Sequence, residues 1–158
     1  MGESLADKIL RNIKDVADLY HRLILVAAPS GSGKSSALQN VRAQLNAPMV
    51  NVNLELSRRM LELTQRQRSL QLPKILGEIA NGAEGEVVLF DNIEVLFDVA
   101  LKQDPLRLLQ GLARHKTVVA AWNGNSDNGN LTYATLEHPE YRKYPQRDSV
   151  VVSAEATP

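Results

Sequence analysis

One short segment constrains this chain more than any other. Ala28-Pro29-Ser30-Gly31-Ser32-Gly33-Lys34-Ser35 stands between a continuous apolar run, Leu23-Ile24-Leu25-Val26-Ala27, and a helical stretch from Lys34 to about Leu45. It fits the phosphate-binding loop pattern G-x-x-x-x-G-K-[S/T], with Ala28 in the first glycine position. The residue types follow from the chemistry. Glycines let the backbone curl until successive N–H groups converge on phosphate oxygens. The following helix adds the positive end of its dipole. Lys34 supplies a compact charge for β- and γ-phosphates, Ser35 a hydroxyl for Mg²⁺, and Ser36 completes the first helical residues behind the loop. A chance Gly-Ser turn would need neither the buried strand before it nor the helix after it.

The rest of the chain alternates in the same way. Ser4 caps a helix predicted over residues 4–20, with Leu5, Ile9, Ile13, Val16 and Tyr20 at helical spacing. Strands are predicted at 23–27, 49–53, 87–91, 117–122 and 149–153. Helices are predicted at 34–45, from Ser57 to about Ser69, from Pro73 to about Ala80, and around Pro105–Leu112. Asn123 to Asn130 reads as a loop, and Leu131 to Thr135 as one strand of a small hairpin. Strands alternating with helices predict a three-layer α/β sandwich of the P-loop NTPase kind, around a mainly parallel sheet of about five strands. The reading is a single domain over residues 1–153, with 154–158 expected to be a mobile tail.

Composition removes several alternatives. The 158 residues include no cysteine, which excludes a disulfide scaffold, a thiolate metal site and a cysteine nucleophile. His21, His115 and His138 lack the spacing of a zinc pair. No apolar run approaches the ~20 residues of a membrane helix, and no charged segment followed by an apolar run suggests a signal peptide. A cytoplasmic protein with no membrane role is expected. Eighteen basic residues balance eighteen acidic ones, so no global charge argues for nucleic acid.

Val87-Val88-Leu89-Phe90-Asp91 reads as the partner motif of the loop. It is an apolar strand ending in a carboxylate, and Asp91 is placed to hold Mg²⁺ with Ser35. Many ATPases with an extra strand between the two motifs carry a glutamate directly after this aspartate to position the attacking water, and here that place is Asn92. An amide orients water but cannot accept its proton. Glu94 is the nearest alternative carboxylate, with a solvated turn residue as the competing reading; Glu55 is a more distant candidate. Asn123, at the predicted end of its strand, is either a polar sensor of the γ-phosphate or ordinary turn chemistry in Asn123-Gly124. Arg107, Arg114, Arg142 and Arg147 are each candidates for an arginine finger, and each also reads as a surface residue.

The motif order resembles a minimal AAA-type core. That resemblance implies sensor duty for Asn123 and a restraining contact from Asn53 to the catalytic glutamate. It also implies site completion between subunits, hence a homo-oligomer; from its length, a helical lid is not expected. A closer resemblance covers whole segments: Asn51-Val52-Asn53-Leu54-Glu55-Leu56-Ser57-Arg58-Arg59-Met60, Phe90-Asp91-Asn92-Ile93-Glu94-Val95-Leu96-Phe97, Lys102 to Gly111, Thr117 to Gly124, and His138-Pro139-Glu140-Tyr141-Arg142. These resemble BrxF, the small P-loop family of type 3 bacteriophage-exclusion (BREX) systems. The resemblance implies a bacterial defence protein that binds ATP and Mg²⁺ beside a DNA methyltransferase and other BREX components. A nucleotide-dependent switch or weak ATPase is the leading expectation. A non-hydrolysing nucleotide-binding adaptor and a small-molecule or nucleotide kinase are the alternatives.

Two further surfaces suit DNA. Arg58, Arg59, Arg66 and Arg68 fall in one stretch that would neutralise phosphates. Tyr133, Tyr141, Arg142, Lys143, Tyr144 and Arg147 interleave rings and charges, as single-strand stacking requires. For both, a solvated face over ordinary packing is the competing reading.

Overall fold

A computed structural model describes residues 4–28, 33–127, 130–134, 141–145 and 149–153. Pro29, Ser30, Gly31 and Ser32 of the loop lie outside the described residues, as do Thr135, His138, Arg147 and the tail.

Five parallel strands form the central sheet: β1 (Leu23–Ala28), β2 (Met49–Asn51), β3 (Val87–Asp91), β4 (Thr117–Asp127) and β7 (Val150–Ser153), in the order β2-β3-β4-β1-β7. The strand carrying the loop and the strand ending in Asp91 are therefore not neighbours; β4 lies between them. Strand alternation divides the core in two. Leu23, Leu25, Val88, Phe90, Val118, Ala120 and Trp122 point to one face, where α3 (Val52–Arg59), α4 (Gln65–Gly82) and α5 (Pro105–Leu112) pack. Ile24, Val26, Leu89, Val119, Ala121 and Val152 point to the other, against α1 (Leu5–Asp15) and α2 (Lys34–Leu45). All six side chains of β1 are buried, as expected for a central parallel strand with helices on both sides.

The helical expectations need three corrections. The first helix ends at Asp15, not at residue 20; Val16 is its C-cap and the chain then turns toward β1. The second strand ends at Asn51, because the Asn51 side chain accepts the N–H of Leu54 and starts α3 at Val52, five residues before Ser57. Asn53 is thus a helix residue. Finally, Pro73 does not open a helix but lies inside α4. That helix starts instead at a capping box, with Thr64 and Gln67 satisfying each other's backbone N–H groups. An internal proline removes one N–H and leaves the carbonyl four residues back without its donor. Here that carbonyl belongs to Ser69, and the side-chain amide of Gln103 donates to it at 2.8 Å.

The fourth strand is also longer than predicted. Asn123-Gly124-Asn125-Ser126-Asp127 reads as loop chemistry, yet it continues β4, and Gly124 to Asp127 pair antiparallel with β5 (Asn130–Tyr133). Strand β6 (Arg142–Pro145) extends this ribbon. Polarity misleads here because the ribbon leaves the sheet and its backbone is satisfied by strand pairing alone. Gly124 is required in it: a Cβ there would stand 1.7 Å from the Thr132 carbonyl oxygen. Phe97, Tyr133, Trp122 and Tyr144 fill the junction with the core, Phe97 stacking on Tyr133 and meeting Trp122 edge to face.

The Ser69–Gln103 bond yields a stability prediction. Gln103→Ala strands a carbonyl and should cost about 1–3 kcal/mol in urea unfolding. Pro73→Ala supplies the missing intrahelical donor, so the double variant should lose less than the sum of the two single losses. Strict additivity would show that the amide does not compensate the proline.

Candidate functional site

Three neighbouring strands, β3, β4 and β1, deliver the site at one end of the parallel sheet. Ala28 closes β1 opposite Asn123 of β4, and Asp91 closes β3 opposite Asn51 of β2. Crevices at the carboxyl ends of parallel strands are where open α/β sheets bind ligands. Gly33 then turns the chain into α2 with φ +87°, a conformation that suits glycine and leaves the helix N-terminus without a side-chain cap. Its first N–H groups thus have no side chain of their own helix to receive them.

Lys34 is buried, and its Nζ donates to the Ala28 carbonyl at 2.8 Å. Burial pushes its pKa down, and the carboxylates of Asp91 and Glu94 oppose that shift. The Ser35 hydroxyl donates to Asp91 Oδ2 at 2.6 Å, while Asp91 Oδ1 accepts the N–H of Asn92 at 2.9 Å. Gly33, Lys34, Ser35, Ser36, Asp91, Asn92, Glu94 and Asn123 line one cavity of about 260 Å³. Two wider clefts lie elsewhere, at the free edge of β2 and at the amino ends of β1 and β7. The smaller cavity is the one that gathers a buried cation, a hydroxyl and two carboxylates.

Glu94, not Asn92, brings the second carboxylate. It opens a 3₁₀ turn (Glu94–Phe97) and is clasped from two sides. Asn53 Nδ2 donates to Glu94 Oε2 at 3.3 Å, and Asn123 Nδ2 donates to Oε1 at 3.0 Å. Asn53 is itself fixed, its Oδ1 accepting the N–H of Val95 at 2.8 Å and its N–H reaching the Asn92 carbonyl at 2.9 Å. The three-residue spacing works because Asn92 adopts φ +54°. That left-handed residue reverses the chain after β3 and returns Glu94 to the cavity that Asp91 lines. Asparagine tolerates this conformation better than most residues. The sequence offered no signal for the anchoring N–H of Val95 or for the Ala28 carbonyl, because backbone groups carry none.

Other sequence candidates go elsewhere. Glu55 sits 3.8 Å from Arg58 and 3.6 Å from Arg59, and lines the cleft beside β2. Arg68 ties the turn before α4, donating to the carbonyls of Met60, Leu61 and Leu63. Arg142 donates to the Gln103 carbonyl, and Tyr144 packs on Trp122. Arg114 lies over the Tyr20 ring, beyond the opposite ends of the strands. Among the described residues no arginine lines the cavity, and no helix is long and apolar enough to cross a membrane.

No protein-family model and no curated protein matches the chain. Among solved structures, that of C. elegans PCH-2 is similar over 96% of this chain and 41% of its own, at 17% identity and a TM-score of 0.43. The chain thus spans about two fifths of that protein.

The turn at residue 92 can be tested without any ligand. Asn92→Gly should stay within about 0.5 kcal/mol of the parent in denaturant unfolding, whereas Asn92→Val should cost about 1–3 kcal/mol through backbone strain. Equal losses in both variants would mean that the Asn92 side chain, not its backbone, holds the turn.

Proposed function

We propose that the protein binds ATP with Mg²⁺ and acts as a nucleotide-dependent switch with slow hydrolysis. The observation that carries this reading is the clasp on Glu94 beside the Ser35–Asp91 pair and the buried Lys34. Lys34 and the N–H groups opening α2 would receive phosphate oxygens. Ser35 and Asp91 form a hard-oxygen pair suited to Mg²⁺, which commonly takes one or two protein ligands and fills the rest of its shell with water and phosphate. Among the described residues no cluster of three or more acidic or histidine side chains is present that would hold a metal unaided. Bound Mg²⁺ would neutralise charge on the β- and γ-phosphates.

Glu94 is the group that can accept a proton from water. Each of its oxygens accepts one amide N–H and keeps a further lone pair, so the clasp orients the carboxylate without consuming it. Asn123 and Asn53 act on Glu94 and are positioning residues. The amide at position 92 suggests a non-hydrolysing adaptor; a carboxylate at Glu94 in the same cavity supports hydrolysis over that alternative. No arginine among the described residues reaches the cavity, and an arginine contributes strongly to phosphoryl transfer. This supports site completion by a second copy or a partner, and slow turnover alone. Resemblance of whole segments to BrxF supports a setting in bacterial phage defence, in the cytoplasm beside other BREX components and DNA.

The expected behaviour is specific. Lys34→Ala should abolish binding of an ATP analogue in calorimetry. Glu94→Gln should keep that binding and lose about 10²–10⁴-fold in steady-state turnover. Turnover per chain should rise with protein concentration. Trp122, the single tryptophan, adjoins Asn123 and should report ATP binding by a fluorescence change that Asn123→Ala reduces. Unchanged turnover in Glu94→Gln would overturn the assigned role, and tight binding by Lys34→Ala would overturn the site.

A further inference from the structure

The far pole of the sheet carries a second surface. Two short segments meet there: residues 19–22, which lead into β1, and residues 113–116, which lead into β4. They are stitched together by the Arg22 N–H on the Ala113 carbonyl at 2.9 Å and by Arg22 Nη2 on the Arg114 carbonyl at 3.3 Å. Arg114 places its guanidinium 4.8 Å from the centre of the Tyr20 ring, and His21 meets that ring edge to face. Tyr20 is 64% exposed, more than any other aromatic residue of the chain. Every other phenylalanine, tyrosine and tryptophan is buried or partly buried, so this ring is the one of its kind open to a planar ligand. Beside it opens a cleft of about 350 Å³ lined by Leu19, Tyr20, His21, Ser149 and Val150. That volume is at the small end of ligand clefts, ~300–1,000 Å³.

We infer that this pole binds single-stranded nucleic acid, with a base seated against Tyr20 and adjacent phosphates on Arg22 and Arg114. Stacking on an exposed ring with arginines alongside is the general recipe for strand binding without sequence preference. Guanidinium groups held by backbone bonds or by a ring are pre-ordered for bidentate phosphate contact. The basic stretches at Arg58–Arg68 and Tyr141–Arg147 offer less. Glu55 faces both Arg58 and Arg59, Arg68 is occupied by three carbonyls, and Tyr144 lies against Trp122. Asp18 shares the Tyr20 turn, so the pole is not uniformly basic, and stacking must contribute alongside charge. β1 separates this pole from the Lys34 cavity by about 20 Å at ~3.3 Å per residue. Binding here is therefore independent of the nucleotide reading.

Fluorescence anisotropy of the full chain with a labelled oligothymidylate of about 16 nucleotides tests the inference. Two phosphate contacts predict a log–log salt slope near −1.4, about a sevenfold loss between roughly 50 and 200 mM salt. Tyr20→Ala should weaken binding at least about fivefold, and Tyr20→Phe should stay within about twofold. Arg114→Ala should lower the slope by about 0.7, whereas Lys34→Ala should change neither affinity nor slope. Thermal unfolding of each variant identifies any that fails to fold; because the Tyr20 ring is exposed, Tyr20→Phe then carries the comparison with Tyr20→Trp, which should bind as well or better. Absence of binding at low salt, indifference to Tyr20→Ala, or equal affinity for a duplex of the same length would overturn the inference.

Discussion

A buried ammonium organises this molecule. Lys34 lies almost wholly out of water, and a cation in that position needs oxygen atoms around it. The fold supplies them from separate pieces of chain: the Ala28 carbonyl from β1, Asp91 from β3 and Glu94 from the turn beyond it. Parallel strands in the order β3-β4-β1 are what bring those pieces to one end of the sheet. The apolar strands hold the register, and the register sets where the charges meet.

The clasp on Glu94 ties that charge centre to the periphery. Asn123 reaches Glu94 from β4, next in the chain to Trp122 and just before the ribbon begins. Glu94 itself starts the 3₁₀ turn that ends in Phe97, and Phe97 stacks on Tyr133 of β5. Both routes out of the cavity thus converge on one aromatic cluster. The same turn leads to Gln103, which repairs the carbonyl exposed by Pro73 and receives Arg142 from β6. Cavity, ribbon and α4 share supports, so a change at Glu94 has few ways to stay local.

Much of this was legible in the sequence. The loop pattern and its flanking strand and helix point to Lys34 and Ser35, and the apolar run before Asp91 marks it as a strand end. Resemblance implied a restraining contact from Asn53 to the catalytic glutamate and a γ-phosphate sensor at Asn123; the Asn53 side chain does bond Glu94, and the Asn123 side chain also turns to Glu94. Helix boundaries were harder. Pro73 reads as a start because proline favours first turns, but the capping box at Thr64 sets the start and a distant glutamine makes the proline tolerable. Residues 123–127 read as loop because a ribbon paired outside the core has no apolar alternation to show.

Local chemistry alone determined the identity of the parts: which segment carries the phosphate-loop pattern, which strands are buried on both faces, and which side chains can carry charge or protons. These depend on residue type and short spacing. The tertiary structure decided which carboxylate enters the cavity. Asn92 and Glu94 both follow Asp91, and only a left-handed backbone at Asn92, held by Asn53 from another element, turns Glu94 inward. That choice depends on contacts between residues about forty positions apart, which only folding brings together.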